Sequence, residues 1–171
     1  KFSDVNAEQS PAGIFCLKFK ELVEERTEGR VQIENYFGGT LTANNIEGTQ
    51  TGIADLSQHD VSEVTDLCAA LSILEAPFLF DSEEELFKVT APESPIMDRL
   101  NEELSGTGVR LLATYSWGNQ NLLTTSKPVY CEEDLKGMKI RVIPSQIFME
   151  TMSAMGATPS PMGWSEVVTS L

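Results

Sequence analysis

Apolar and polar positions alternate along the chain in a way that predicts strands and helices in turn. Ser10-Pro11 marks a helix start, with Ser10 as N-cap and Pro11 at the first helical position. The segment "AGIFCLKFKELVEERTEG" continues that helix, sets Phe15, Phe19, Leu22 and Val23 on one face, and ends at Gly29. "RVQIENYF" alternates as a half-buried strand does, and "GG" at 38–39 breaks it. "LTANNIEGTQTG" reads as a short polar helix ending at Gly52, "IADLS" as a short strand, and "QHDVSE" as a polar loop. "LCAALSILEAPFLF" is too hydrophobic to be a loop. Asp81 and Glu84 have the spacing of N-cap and N3 in a capping box, opening the helix "SEEELFKVT". A further helix around 93–105 leads through "SGTG" into a strand, "VRLLATYS".

This order of strands and helices argues an α/β fold with a largely parallel sheet. Ligands of such sheets sit beyond the carboxyl ends of the strands. After "SWGNQ" the pattern restarts with a strand "NLLTTS", a turn at Lys127-Pro128, the turn "CEEDLKG" and a strand "MKIRVI". A helix follows in "SQIFMETMSAMG", with Phe148, Met152 and Met155 as its core face. "TPSPMGW" is extended and "SEVVTSL" begins one more helix, so this second unit reads as unfinished.

Composition narrows the classes. The 171 residues suffice for one domain or slightly more. Twelve Lys and Arg stand against 26 Asp and Glu, a net charge of −14, which argues against nucleic acid as a partner. An anionic ligand would need locally concentrated positive charge to overcome that field. No apolar run approaches the length of a membrane span. Cys16, Cys68 and Cys131 are odd in number and widely spaced, so no disulfide framework is indicated, and Cys68 reads as a small core residue. A single histidine, His59, without a CxxC motif makes zinc an unexpected guest. No cofactor or metal site is expected.

Nor does the chain carry a nucleophile motif. There is no GxSxG, and His59 would have to be the base of any Ser–His pair. "GTLTANNIEG" lacks the GK[ST] ending of a phosphate loop. The carboxylate runs "DSEEE" and "CEED" fall at helix starts or turns, where the helix dipole and solvent account for them. What remains is a set of polar residues at strand ends: Asn6, Gln58, His59, Asp60, Asn119, Gln120, Asn121 and Arg141. Arg141 offers a fork of donors suited to a carboxylate, with an ion pair to a nearby glutamate as the alternative.

The chain resembles the extracytoplasmic solute receptors of TRAP transporters of the C4-dicarboxylate type. The matching pieces are "FKELVEERTEGRVQIENYFGGTL", "GIADLS", "LEAPFLF", "GVRLLATYSWG", "LTTSKPV", "DLKGMKIRV" and "MGATPSPMGWSEVVTSL". The resemblance implies a type II periplasmic-binding-protein-like α/β fold that closes on its ligand by a hinge. It implies a domain I over 1–121 and an incomplete domain II over 122–171, cut short at Leu171 with part of domain I's sheet missing. It gives Arg141 the ligand's carboxylate and Trp164 a flank of the ligand, with further contacts from Val5–Glu8, including Asn6, and from Gln58–Asp60. Asn121 stands where many members carry a second arginine, so a ligand with one carboxylate and more neutral groups is expected. Ile143-Pro144 departs from the family's "RVP" order.

The function so implied is capture of an organic acid in the periplasm, by a protein lacking its signal peptide, and delivery to a TRAP permease, without catalysis. A sensor or truncated product without a transport role, and a small hydrolase using His59, are the alternatives. One arginine–carboxylate contact gives about 1.5–3 kcal/mol, whereas micromolar binding needs about 8 kcal/mol. Weak or no binding is therefore expected of these residues alone, checked by titration calorimetry. An open sheet edge and bare apolar surface would favour a homodimer.

Overall fold

The computed structural model describes residues 1–42, 44–125 and 127–170. The chain divides into two compact units, Lys1–Asp60 with Glu102–Arg110 and Val61–Asn101 with Leu111–Leu171.

In the first unit, β1 (Phe2–Ser3) is followed by α1 (Pro11–Arg26), β2 (Asn35–Tyr36), α2 (Asn45–Gln50) and β3 (Leu56–Ser57). The strands form a parallel sheet in the order β2-β1-β3, with Phe2 opposite Asn35 and Leu56 and Ser3 opposite Tyr36 and Ser57. The ladders are shorter than the alternation at 30–37 and 53–57 predicts. The central strand sets that limit: just past Ser3, the Asp4 carboxylate accepts the Asn6 backbone N–H at 2.8 Å and turns the chain away.

The start of α1 is as expected. Ser10 Oγ accepts the Gly13 N–H at 3.1 Å and itself donates to Ala7 O at 2.6 Å. Ser10→Ala is expected to lower stability by about 1 kcal/mol, read as a shift in urea midpoint at unchanged slope. The Gly29 N–H donates to Glu24 O at 2.8 Å, closing the helix. The inward face differs from the expected one. Ala12, Gly13 and Cys16 are the buried positions, Phe19 and Val23 pack against Phe2, Cys16 and Ile33, and Phe15 stays 38% exposed. Phe19 meets Phe2 edge-on at 5.7 Å, while Phe15 lies stacked on Phe19.

The second unit holds α3 (Val61–Val64), a 3-10 helix (Ala69–Glu75), α4 (Glu83–Val89) and α5 (Pro95–Glu103), whose last two residues belong to the first unit. A second 3-10 turn (Glu132–Leu135), β4 (Lys139–Val142), α6 (Gln146–Ala154), β5 (Thr158–Pro161) and α7 (Trp164–Ser170) follow. β4 and β5 pair in parallel across α6, with Arg141 opposite Ser160. Cys68, Leu71, Met97, Leu100, Leu135, Val142 and Ala157 are buried, and Phe148, Met152 and Met155 are half-buried.

Several local expectations are corrected. The loop expected at "QHDVSE" turns into α3, one helical turn closed by Cys68 N–H on Val64 O at 3.1 Å. The cap of α4 sits one residue later than the Asp81–Glu84 spacing suggests. Ser82 Oγ accepts the Glu85 N–H, and Glu85 Oε2 accepts the Asp81 N–H. Asp and Ser are near-equal N-caps, so spacing alone does not choose between neighbours. "VRLLATYS" pairs with no strand among the described residues. Instead the Asn101 side chain meets Leu111, donating to its carbonyl at 3.0 Å and accepting its N–H at 2.9 Å. "NLLTT" is also outside any ladder, and Ser126, which ends that expected strand, lies outside the described residues. The same holds for Ala43 in the expected polar helix and for Leu171 at the expected end of domain II.

Candidate functional site

Of the residues singled out from sequence, Asn6, Gln58, His59 and Asp60 fall in the first unit, and Asn121, Arg141 and Trp164 in the second. In the first unit the polar residues follow the carboxyl ends of β1 and β3. Asp4 organises the loop after β1: its Oδ1 accepts both the backbone and side-chain N–H groups of Asn6, at 2.8 and 2.9 Å. The turn after β2 clamps the same loop from the other side. Gly38 N–H donates to Asn6 O and Gly39 N–H to Asp4 O, at φ of +64° and +68° that residues other than glycine rarely adopt.

Gln58 is buried, and its backbone N–H donates to Ser3 O at 3.3 Å. Its side chain meets Cys16, whose Sγ also lies against Asp4. Burial first, and the Asp4 carboxylate second, push the Cys16 thiol up to about 12. At pH 8, one fast-reacting thiol per chain is therefore expected, the exposed Cys131, with Cys16 and Cys68 released by denaturant. From pH 9.0 to about 12 the folded chain keeps a Cys16 proton that the unfolded chain releases. That stability is whole below pH 9 and is lost as pH rises through the window. Cys16→Val is expected to flatten the alkaline fall, followed by denaturation at stepped pH.

His59 belongs to a hydrogen-bonded chain whose direction follows from its far end. The Asn45 carbonyl accepts from Thr49 Oγ1 at 2.9 Å, which uses the threonine proton. Ser57 Oγ, 2.6 Å from Thr49 Oγ1, must then donate to it, and the His59 ring, 2.7 Å from Ser57 Oγ, must donate in turn through Nε2. An imidazole that already donates to a serine oxygen cannot remove that serine's proton. Asp60 is exposed at the end of the unit.

In the second unit Arg141 and Trp164 come together. The guanidinium carbon lies 5.9 Å from the Trp164 ring centre, and Nε and Nη2 both donate to Met162 O, at 2.9 and 2.7 Å. No carboxylate pairs with Arg141 among the described residues. Asn121 bonds locally, donating to Asn119 O at 3.1 Å, and bonds neither Arg141 nor Trp164. Asp4, Cys16, Ser57, Thr49 and the Met162 carbonyl are the partners that sequence reading misses. The "DVN" spacing of a side-chain turn signals Asp4; a backbone carbonyl has no sequence signal at all. Among the described residues, no group of three potential metal ligands is placed to hold an ion. No helix of the described residues is long and apolar enough to cross a membrane.

Parallel βαβ units, with polar side chains following the strand ends, define an α/β protein. The chain belongs to the bacterial extracellular solute-binding proteins of family 7, whose sequence pattern matches residues 2–171. It is 30% identical to the 2,3-diketo-L-gulonate-binding periplasmic protein YiaO of Escherichia coli K12 over 160 residues, 92% of this chain and 48% of that protein. Identity is also 30% with the C4-dicarboxylate-binding periplasmic protein DctP of Rhodobacter capsulatus, over 100% of this chain and 51% of that one. The fold matches a TRAP periplasmic solute-binding protein from Chromohalobacter salexigens with bound D-glucuronate at a TM-score of 0.86 and 26% identity, over 99% of this chain and 56% of that chain. A counterpart from Pseudomonas aeruginosa PAO1 with bound L-malate gives 0.82 and 26%, over 99% and 58%. The periplasmic-binding-protein-like α/β class is thus the fold observed. The chain spans about half the length of the curated relatives it matches.

Proposed function

We propose that this chain is part of a periplasmic TRAP receptor that captures an organic acid and passes it to a membrane permease. The observation that carries this is Arg141: a guanidinium in a chain of net charge −14, bound to a backbone carbonyl and a tryptophan face and to no carboxylate among the described residues. Its Nε–Nη2 edge holds Met162 O, so the Nη1–Nη2 edge is the one offered to a ligand carboxylate. Trp164, 71% exposed, gives that ligand an apolar wall.

In this reading Arg141 and Trp164 serve from a domain beginning at 122, with Asn121 at its border. Asn6, Gln58, His59 and Asp60 serve from a domain over 1–121. Asn121 in place of a second cation leaves one anchored carboxylate, so a hydroxylated monoacid is favoured over a diacid. Similar proteins bind uronates and also L-malate, so the preference for a monoacid rests on Asn121. The chain acts by binding without catalysis; a His59 ring that donates to Ser57 Oγ is no base toward that serine. Ligand-detected NMR reads millimolar binding and tests the reading. D-galacturonate and D-glucuronate are expected to bind more tightly than succinate and L-malate, and the reverse order would sink the monoacid assignment.

A further inference from the structure

Cys16 lies where one proton faces two acceptors. Its Sγ is 3.6 Å from Asp4 Oδ2 and 3.6 Å from Gln58 Oε1, and Cys16, Asp4 and Gln58 are 1%, 1% and 9% exposed. A thiol has a single S–H to give. The raised thiol pKa keeps that proton in place. A carboxylate oxygen is the stronger acceptor, so the proton goes to Asp4. Asp4 Oδ1 already takes two N–H bonds from Asn6, which suits an acceptor-only group.

Gln58 Oε1 would then face a sulfur lone pair. Half a turn of the amide exchanges its oxygen and nitrogen without changing its shape. In that orientation an amide N–H donates to Sγ, a weak but real acceptor. The amide atom on the far side makes no hydrogen bond among the described residues and is not sealed from solvent. After the half turn, that atom is the carbonyl oxygen. Two acidic residues belong to the same strand ends: Asp4, which meets Cys16 Sγ, and Asp60, two residues on in the chain.

We propose that Cys16 is a positioning residue: by donating to Asp4 and accepting from Gln58, it presents the Gln58 carbonyl at the carboxyl end of β3. That end of the site takes a ligand hydroxyl and repels a carboxylate. The specificity half of this rests on the reading of the strand ends as ligand-facing; the amide orientation does not.

The two halves are therefore measured separately. In the uniformly 15N- and 13C-labelled full chain, the Gln58 side-chain NH2 protons are expected to show NOEs to the Cys16 Hβ protons and slow exchange with water. Rapid exchange with no such NOEs would overturn the orientation, whatever binds. For specificity, the probes are D-galacturonate and succinate. Cys16→Val removes donor and acceptor and is expected to weaken galacturonate about three- to ten-fold, the equivalent of one hydrogen bond. Cys16→Ser, which keeps both roles, is expected to restore it, with succinate little changed by either. Correct NOEs with galacturonate binding indifferent to Cys16→Val would refute the hydroxyl subsite and leave Arg141 untouched. If Cys16→Val does not fold, the NOE measurement on the unaltered chain and the Cys16→Ser comparison still decide.

Discussion

Replacing Arg141 by alanine is expected to weaken D-galacturonate binding roughly 10- to 150-fold, the equivalent of the 1.5–3 kcal/mol of a charge-assisted hydrogen bond. The size follows from what stands around the guanidinium. Its Nε and Nη2 are tied to Met162 O, and no side-chain carboxylate shares the charge among the described residues. Lysine keeps the charge but lacks the planar fork, so it cannot hold that carbonyl and a bidentate carboxylate together. Arg141→Lys should fall between the parent and the alanine variant and depend more steeply on salt. The Trp164 indole N–H signal in a 15N-labelled sample follows the titration directly, because the ring lies 5.9 Å from the guanidinium. An alanine variant that binds as well as the parent would remove Arg141 from the site.

The second large effect concerns a glycine inside a helix. In an open helix Gly→Ala stabilises by about 1 kcal/mol. At Gly13 the sign should reverse. A Cβ built there would lie 2.3 Å from Glu8 O and 2.5 Å from Ala7 O, both main-chain atoms. Ala7 O cannot easily retreat, because Ser10 holds it through both its backbone N–H and its hydroxyl. Forced overpacking of this kind costs about 1–3 kcal/mol or more, so Gly13→Ala is expected to destabilise by about 2 kcal/mol. The strain falls on the loop that carries Asn6. Thermal and urea unfolding read the first effect, and the Asn6 amide shift reads the second. An unchanged or higher Tm would show that the loop yields freely.

These two sites show which parts of the molecule the sequence could disclose. Helix α1 was legible because its signals are local: a serine–proline start, a glycine end and an apolar stripe between. The stripe's exact phase was not, since Phe15 looks like core while Cys16 occupies it as the middle of a polar cluster. β4, α6 and β5 were legible for the same local reasons, and Arg141 stood out against the acidic composition. Strand lengths were not legible, because a ladder exists only where a partner lies alongside. "VRLLATYS" has strand composition, yet meets the side chain of Asn101 where a strand would have been expected. Asp4 and Ser57 matter through partners distant in sequence, such as Cys16 and Thr49.

Met162 illustrates a different blind spot. What it gives Arg141 is a main-chain oxygen, which every one of the twenty residues possesses. Whatever side chain stands at position 162, the atom that aims the guanidinium is still supplied. Mutation of a side chain cannot erase a carbonyl. Variant surveys that equate tolerance with irrelevance would pass over one of the fixed points around Arg141.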